Sequence, residues 1–422
     1  MGKEKRGSSI LIALGMPALT LLVYYLWLCV QEHRGGLFVA TPDSFLARIP
    51  APTLEAAAIF FGWLLFQAIL QIAVPGKMQE GTPLPDGTRL SYKLNGWMSF
   101  CLTLGIFFLA IRLDWLKPTI VYHHFGPLLT TVNLFAFGLS LVLYFCERSA
   151  GARDRESANS APALPRSRAQ DFFYDYFMGV TLNPRIGSFD LKFFCESRPG
   201  LIGWVLINYS LAAQQYEIHG IITTPMCLVF AFQFLYVADY FWHEEAILST
   251  WDIKNERFGW MLVWGDLVWV PFTYTLQAYY LLKHPHDLPL WGTAGLVILN
   301  LLGYGIFRGA NWQKHLFRKD PDAPVWGKKP ETIRTQLGSL LLISGWWGIA
   351  RHINYLGDLM MALAWCLPCL FEHPLPYFYF IYFLILLLHR ERRDHAYCLS
   401  KYGADWENYC RQVRWRIVPY VY

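Results

Sequence analysis

Charged side chains are scarce in this sequence. Asp, Glu, Lys and Arg make up 16% of the 422 residues, whereas about 25% is usual in soluble domains. Hydrophobic residues reach 55% and aromatic residues 17%, and apolar runs near the ~20 residues that cross a bilayer recur along the chain. This composition excludes an ordinary soluble globular domain and predicts a polytopic helical membrane protein.

Signatures of two other chemistries are missing or misplaced. Most cysteines lie scattered in apolar runs, where a thiol behaves as a small hydrophobe. Cys366-Leu-Pro-Cys369 has redox spacing but lies in an apolar span without a βαβ context, and we predict no metal site. Gly303, Gly305 and Gly309 have the wrong spacing for a dinucleotide loop, and no strand precedes them. Close packing between helices explains these glycines better.

The apolar runs predict an all-α fold of about ten transmembrane helices. The expected spans are 9–30, 53–74, 96–113, 126–145, 199–214, 220–241, 259–282, 289–307, 336–371 and 374–389. The interval 336–371 is counted as one crossing, with a broken span and a re-entrant pair both left open.

Lys and Arg concentrate in alternate connections between these spans. The positive-inside bias then places the N- and C-termini in the cytosol. We expect three parts: a four-span bundle at 1–150, a cytosolic loop and interfacial segment at 151–198, and a six-span core with a cytosolic tail at 199–422. The membrane would be the endoplasmic reticulum in a eukaryote and the cytoplasmic membrane in a bacterium.

One apolar stretch near the end of the chain is interrupted by a polar cluster. Its members are Arg351, His352, Asn354, Tyr355 and Asp358. Such a cluster is costly in a membrane unless it faces a polar cavity or another charge. A cation, an imidazole, an amide and a phenol together suit a nucleotide, so the sequence predicts a cofactor pocket on the cytosolic side of the C-terminal half.

A basic pair precedes this cluster. Lys314 and Arg318 are four residues apart, so on a helix they share a face and would form a phosphate clamp. The alternative is that these charges only signal topology.

Carboxylates and a phenol stand beside two other spans. Tyr240, Glu244 and Glu245 end the sixth span, and either reach out to water or form a proton-donor group at the mouth of a lipid pocket. Asp266 in the seventh span is either a site residue or the partner of an Arg, because an intramembrane carboxylate needs one of these explanations.

These features together suit the reduction of a hydrophobic molecule by a nicotinamide. A lipid-soluble substrate would enter sideways among the spans and a polar cofactor from the cytosolic end. The cofactor supplies hydride, while the protein supplies position and charge.

Several long motifs occur in an order that resembles the sterol reductase family. They include Leu182-Asn-Pro-Arg-Ile-Gly-Ser-Phe-Asp190, Phe258-Gly-Trp-Met-Leu-Val-Trp-Gly-Asp266, Gly345-Trp-Trp-Gly-Ile-Ala-Arg-His-Ile-Asn354 and Tyr397-Cys-Leu-Ser-Lys-Tyr402. The resemblance runs over residues 171–422. Within the family the chain looks most like the delta-14 sterol reductases and the membrane part of the lamin B receptor.

The resemblance implies NADPH-dependent reduction of the C14–C15 double bond of a sterol intermediate. Its implied partners are the sterol and membrane lipid, with no nucleic acid. The positions that match the family's cofactor residues are Lys314, Arg318, Leu342, Trp347, Asn354, Tyr355, Arg390, Asp394, Cys398, Lys401, Tyr402 and Tyr409. Physically, the Lys314–Arg318 pair suits phosphates, Trp347 and Tyr402 suit ring stacking, and Asn354 suits an amide or a ribose.

An isolated alkene accepts hydride poorly, so the expected mechanism begins with a proton. An acid protonates C15, and hydride then reaches the tertiary cation at C14. Tyr240 and Asp394 are the candidates for this proton route and for supporting the cation. A Tyr with a pKa near ~10 is a weak acid and needs a polarising partner, for which we expect Glu244 or Glu245.

Two other functional classes stay open at this point. Isoprenylcysteine and phospholipid methyltransferases share part of the tail pattern and use S-adenosylmethionine, although that cofactor has no phosphate for the Lys314–Arg318 pair. A non-enzymatic sterol-binding or scaffold protein is the third interpretation, and the presence of every matched cofactor residue favours an enzyme over it.

Overall fold

The computed structural model describes residues 2–32, 42–83, 87–156 and 172–422. These residues are mostly helical and form two compact units. The first unit contains Met1–Ile222 and Gln233–Pro285, and the second contains Thr223–Phe232 and His286–Tyr422. The three-part division expected above stays a prediction, and residues 157–171 of its cytosolic loop lie outside the described ranges.

The first unit is built from helices of very different lengths. They are α1 (Gly2–Glu32), α2 (Pro42–Leu46), α3 (Leu54–Ala73), α4 (Gly96–Arg112), α5 (Ile120–His123), α6 (Phe125–Glu156), α7 (Phe172–Met178), α8 (Leu191–Ser197), α9 (Pro199–His219), α10 (Thr224–Trp242, whose first residues belong to the second unit), α11 (Trp251–Asn255), α12 (Trp260–Trp264), α13 (Val270–Thr273) and α14 (Leu276–Lys283). A 3-10 turn covers Glu244–Ser249, and a π-helical turn covers Gly265–Trp269.

Two antiparallel hairpins interrupt these helices. β1 (Lys77–Glu80) pairs with β2 (Ser91–Leu94), and β3 (Arg185–Ile186) pairs with β4 (Phe189–Asp190). The second hairpin lies between the short helices α7 and α8, so the stretch from 172 to 199 is not a single continuous helix.

The second unit surrounds one long helix. Its elements are α15 (Leu290–Lys319), β5 (Thr332–Arg334), β6 (Leu340–Leu342), α16 (Trp346–Ile349), α17 (Ile353–Cys366), α18 (Phe378–Tyr402) and α19 (Ala404–Gln412), with 3-10 turns at Leu367–Cys369 and Leu375–Tyr377. β5 and β6 form an antiparallel hairpin with Ile333 opposite Leu341.

Glycine lets α15 and α17 approach each other closely. A Cβ on Gly303 would lie 2.7 Å from the carbonyl oxygen of Gly357, and a Cβ on Gly357 would lie 2.5 Å from that of Gly303. Only residues without a side chain fit at such a crossing. Helix packing is therefore confirmed for Gly303, whereas a Cβ on Gly305 would meet nothing within 4 Å.

Several described helices are long and apolar enough to cross a membrane. They are Ser9–Gln31, Leu54–Ala73, Phe125–Ser149, Thr224–Trp242 and Leu290–Lys319, and Gly96–Arg112 and Ile353–Cys369 are shorter apolar helices. The helical membrane class is confirmed, and the count of ten spans stays a prediction.

The predicted crossing at 336–371 is wrong in its first half. The chain first turns at Gly338 (φ 79°) to close the β5–β6 hairpin, and Gly345 (φ 63°) then bends it into the single turn of α16. A continuous helix starts only at Ile353. The apolar residues before it are therefore strand and turn, because they pack against the hairpin partner and the tail instead of continuing a helix.

Candidate functional site

Lys314 lies over the face of an indole ring. The helix α15 runs unbroken to Lys319, which places Lys314 and Arg318 one turn apart on the same face, as their spacing predicted. The Lys314 ammonium is 3.8 Å from the centroid of the Trp347 ring, a geometry in which the cation is attracted by the π face. The Trp347 indole N–H donates to the carbonyl of Ala310 at 2.8 Å, which fixes the ring.

Both cations remain available to a ligand. Lys314 is half-buried and Arg318 is exposed. Among the residues with described positions, no carboxylate lies within ion-pair distance of either cation. Two neighbouring positive charges without an acidic partner repel each other, and a bound anion would relieve that repulsion.

The tail of the chain hydrogen-bonds the backbone at the break between α16 and α17. The backbone N–H groups of Arg351 and His352 donate to the carbonyls of Trp415 and Arg416 at 2.9 and 2.8 Å. A backbone N–H group at a helix start has no acceptor in its own helix. The tail carbonyls accept from these two N–H groups and so stabilise the break. The polar cluster therefore sits at a helix start and not inside a continuous span.

Asp394 on α18 is the centre of a second group of site residues. One of its carboxylate oxygens is 3.6 Å from Nε2 of His352, and the Cys398 thiol is 4.0 Å from the same oxygen. The His352 ring stacks on Tyr355 with centroids 4.8 Å apart. Burial raises the pKa of Asp394, and the positive charge of Lys314 partly offsets this, so the carboxyl keeps its proton to a higher pH than a free Asp.

Asn354 offers an unused acceptor. Its amide N–H donates to the Asn311 side-chain oxygen at 3.3 Å, while its own side-chain oxygen is buried without a hydrogen-bond partner in the described structure. A buried acceptor of this kind is costly unless something donates to it. The amide of a nicotinamide carries such a donor, so the residues present fit this cofactor.

The remaining predicted cofactor residues pack close by in the same unit. Cys398 and Tyr402 pack against a cluster that contains Trp406 and Tyr409, and Leu342 shares a buried cluster with Trp347. The other two are placed by their electrostatic contacts: the Lys401 ammonium lies 4.9 Å from the Tyr402 ring centroid, and the Arg390 charge acts on Tyr355. All twelve predicted cofactor residues thus belong to the second unit.

Tyr240 belongs to the first unit, and its expected partners are engaged elsewhere. Glu244 accepts from the backbone N–H of Gly96 at 2.7 Å and from Arg198 at 3.2 Å, while the exposed Glu245 pairs with Lys77 at 3.4 Å. The Tyr240 hydroxyl is buried without a hydrogen-bond partner among described residues. Neither glutamate hydrogen-bonds the phenol in the described structure, and the expectation that one of them polarises Tyr240 stays a prediction.

Asp266 lies in the π-helical turn, and no Arg pairs with it in the part of the chain that the structure describes. Sequence reasoning also missed Asn311 and the contact between His352 and Asp394. Asn311 stands inside a motif of the resemblance, at Ile306-Phe-Arg-Gly-Ala-Asn311, but nothing local identified it as the partner of Asn354. Within the described ranges, no group of three or more His, Cys, Asp or Glu side chains could hold a metal.

The fold and this cluster are those of a helical membrane protein with two neighbouring cations near a half-buried carboxyl. Residues 11–422 match the Ergosterol biosynthesis ERG4/ERG24 family, and the chain belongs to that family. A Delta(14)-sterol reductase of Methylotuvimicrobium alcaliphilum is 56% identical over 412 residues, which cover 96% of this chain and 93% of that protein.

Two further relatives differ from each other in the double bond that their names indicate. A Delta(14)-sterol reductase of Dictyostelium discoideum is 47% identical over 419 residues, which cover 95% of this chain and 88% of that protein. A 7-dehydrocholesterol reductase of Xenopus laevis is 40% identical over 432 residues, which cover 94% of this chain and 89% of that protein. The resemblance to sterol reductases is confirmed, while membership of the family alone leaves the reduced double bond open.

Proposed function

We propose that this protein reduces the C14–C15 double bond of a sterol intermediate with NADPH, on the cytosolic side of its membrane. The observation that carries the cofactor is the pair of unpartnered cations, Lys314 over the Trp347 ring and Arg318 one turn further on. The names of the two most identical relatives cited above support the C14 position.

The chain's own side chains account for cofactor binding. Lys314 and Arg318 would bind phosphate oxygens, including the 2′-phosphate that distinguishes NADPH from NADH. The Trp347 ring would support a flat group, and the free oxygen of Asn354 would accept from the carboxamide. When bound, the nicotinamide supplies the hydride.

Protonation must precede or accompany the hydride, because an isolated alkene is a poor acceptor. A proton added at C15 leaves the tertiary cation at C14, where the hydride is delivered. Tyr240 in the first unit and Asp394 in the second are the proposed acids. Asp394 has the raised pKa described above, and the Tyr240 hydroxyl is buried with its hydrogen uncommitted.

Turnover of the purified protein in detergent tests the proposal. A delta-14 sterol and a delta-7 sterol are each offered with NADPH or NADH, and products are followed by mass spectrometry. We expect a product heavier by two hydrogens from the delta-14 sterol with NADPH, lost in Lys314→Ala/Arg318→Ala and kept in Lys319→Ala, an exposed cation of the same helix. If only the delta-7 sterol is reduced, the target is the C7–C8 double bond and the proposed C14–C15 target is wrong.

Binding experiments separate the alternatives. Binding of S-adenosylmethionine without sterol reduction would establish the methyltransferase interpretation. Sterol binding with affinity for neither cofactor would establish the non-enzymatic one. The unpartnered Lys314–Arg318 pair favours the reductase over both, since S-adenosylmethionine has no phosphate and a non-enzymatic sterol-binding protein needs no cofactor.

A further inference from the structure

A cavity of about 340 Å³ lies beside the β1–β2 hairpin in the first unit. The hairpin and its connection supply Leu90 and Tyr92, the segment before β3 supplies Asn183, and the end of α11 supplies Lys254 and Asn255. This volume falls within the range of small-molecule sites, about 300–1,000 Å³, and exceeds the ~30 Å³ share of a single water molecule. The cavity is therefore large enough for a small ligand.

Three connections between expected spans line this cavity. Leu90 and Tyr92 lie between α3 and α4, Asn183 lies between α6 and α9, and α11 lies between α10 and α12. In the predicted topology these connections share the cytosolic side, where their Lys and Arg residues follow the positive-inside bias. We therefore expect the cavity at the cytosolic face of the membrane, within reach of lipid headgroups and of soluble anions.

Tyr92 forms a rigid wall of the cavity. Its side chain is buried, its ring centroid lies 5.4 Å from that of Phe193, and the Arg185 guanidinium lies 4.6 Å from the same centroid. Arg185 is itself held in place, because it donates to Asp190 at 2.9 Å and to the carbonyl of Ser91 at 3.0 Å. A ligand that binds against a wall already ordered in this way loses little affinity to the ordering of side chains.

Asn183 presents an acceptor to the cavity. Only 7% of the residue is exposed, and its side-chain oxygen is buried without a hydrogen-bond partner in the described structure. A buried acceptor is costly to leave unsatisfied. Because Asn183 lines the cavity, a hydroxyl group of a bound molecule can donate to it. The site therefore favours a ligand that carries a hydrogen-bond donor.

The described lining of the cavity carries a positive charge and no carboxylate. Lys254 supplies the cation, Asn255 adds a second amide, and neither Asp nor Glu occurs among the described lining residues. The cation attracts an anionic group, while Leu90 and Ile253 offer apolar surface to a carbon skeleton. An anionic group, a hydroxyl and a short carbon skeleton occur together in a phosphate ester of a polyol.

We propose that this cavity binds a phosphate ester with a free hydroxyl, namely glycerol phosphate, either in solution or as the headgroup of phosphatidylglycerol. The phosphate accepts from the Lys254 ammonium, and a glycerol hydroxyl donates to the side-chain oxygen of Asn183. A ligand that binds only the folded protein stabilises it, so occupancy should stabilise the three connections. The lining residues belong to the first unit and the twelve predicted cofactor residues to the second, so the inference does not depend on the proposed reduction.

Native mass spectrometry of the full chain in a neutral detergent tests the charge and the hydroxyl separately. Phosphatidylglycerol should bind at least 10-fold more tightly than phosphatidylcholine, whose headgroup has no hydroxyl. Lys254→Gln should weaken phosphatidylglycerol binding on the order of 10-fold, the size of one hydrogen bond to a charged group. Lys77→Gln, which removes an exposed cation of the same hairpin outside the cavity lining, should leave it unchanged. Asn183→Leu should abolish the preference for phosphatidylglycerol over phosphatidylcholine.

Thermal unfolding in the same detergent shows whether the ligand occupies the cavity. Phosphatidylglycerol should raise the unfolding midpoint of the native protein, and Leu90→Trp, whose larger side chain fills the cavity, should abolish that rise. The midpoint of Leu90→Trp without ligand shows whether the variant is folded, and Lys254→Gln replaces it in the comparison if it is not. An equal rise in the native protein and in the folded variants would overturn the proposal, because the lipid would then bind elsewhere.

Free sn-glycerol 3-phosphate distinguishes the two sources of the ligand. If it raises the midpoint of the native protein and not that of Lys254→Gln, the phosphate ester alone is sufficient and the site takes a soluble ligand. If only phosphatidylglycerol raises the midpoint, the site takes the headgroup of a membrane lipid. If neither raises it, the proposal is wrong. These measurements need no turnover, so failure of the proposed reduction would leave their outcome unaffected.

Discussion

Two cations in this molecule lie in contrasting surroundings. Arg198 in the first unit is fully buried, and one of its nitrogens donates to the side-chain oxygen of Asn95 at 2.5 Å and to Glu244 at 3.2 Å. Lys314 in the second unit lies over an indole ring and faces no carboxylate within ion-pair distance among described residues. The first charge pairs within the fold, and the second is the one that we propose binds a phosphate.

The surroundings of Arg198 show what a structural charge does. Asn95 donates to the carbonyls of Leu70, Gln71 and Val74 at the end of α3, and Glu244 accepts from the first N–H of α4. Helix ends expose unpaired backbone groups that need such partners. Arg198 donates to both capping side chains, Asn95 and Glu244. Lys314 makes no comparable bond to a capping side chain among described residues. A buried cation that pairs with a carboxylate therefore indicates a structural role, whereas Lys314, which has no acidic partner within ion-pair distance among described residues, is our candidate for binding.

The largest expected effect follows from breaking the structural cluster. Arg198→Met leaves Glu244 buried without its cation, which typically costs about 3–5 kcal/mol. We expect a strongly lowered midpoint of thermal unfolding in detergent or loss of folded protein. Lys77→Met, which removes only an exposed pair with Glu245, should change little. Equal midpoints for the two variants would contradict the structural role of Arg198.

The next effect should appear in binding and not in stability. Lys314→Met should weaken NADPH binding about 10- to 100-fold, since a hydrogen bond to a charged group contributes roughly 1.5–3 kcal/mol. The unfolding midpoint should remain near that of the native protein. Fluorescence titration measures the affinity, with Lys319→Met as the matched cation. An unchanged dissociation constant would show that the unpartnered charge is not the phosphate site.

A third experiment tests the packing that presents Lys314. Gly303→Ala adds a methyl group 2.7 Å from the backbone oxygen of Gly357, and overpacking of this kind costs about 1–3 kcal/mol. Gly305→Ala, with open space around its Cβ, should be neutral or stabilising because Ala favours helix over Gly. Thermal unfolding of the pair measures the difference, and similar midpoints would mean that α15 and α17 do not need their close contact.

The smallest effect concerns pH. Because burial raises the pKa of Asp394, its negative charge disappears as the pH falls through a value above the usual Asp range. A phosphate near Lys314 then meets less repulsion, so NADP+ should bind more tightly on the acidic side, by a few-fold at most. Calorimetric titration across pH should show this slope in the native protein and a flat profile in Asp394→Asn. A slope that survives in Asp394→Asn would assign it to another group.

Local periodicity predicted one half of the candidate site and missed the other. The spacing of Lys314 and Arg318 was enough to place them together, because a continuous helix decides it. The position of Trp347 beneath Lys314 depends on the bend at Gly345, where a Cβ would lie 2.5 Å from Val325. That bend is a tertiary feature, so the resemblance identified Trp347 and hydropathy placed it wrongly in a span.

The surroundings of Tyr240 show the same limit. Glu244 follows four residues later and was expected to polarise the phenol, and the structure shows that it accepts from Gly96, 148 residues away in the sequence. A helix end recruits whichever acceptor the fold brings to it. Contacts between residues that are far apart in the sequence decide which acid is free to act, and a single sequence contains no pattern that predicts them.

The bonds from Arg351 and His352 to the tail carbonyls also set the order in which the protein matures. At about 5–20 residues per second, Arg416 is synthesised roughly 3–13 s after His352. The residues of α17 are completed early in that interval, and the two N–H groups must meanwhile be satisfied by water or by the insertion machinery. Until Arg416 has been synthesised, the start of α17 lacks these acceptors, so a nascent chain that stalls between the two residues would carry α17 without the segment that satisfies its first N–H groups.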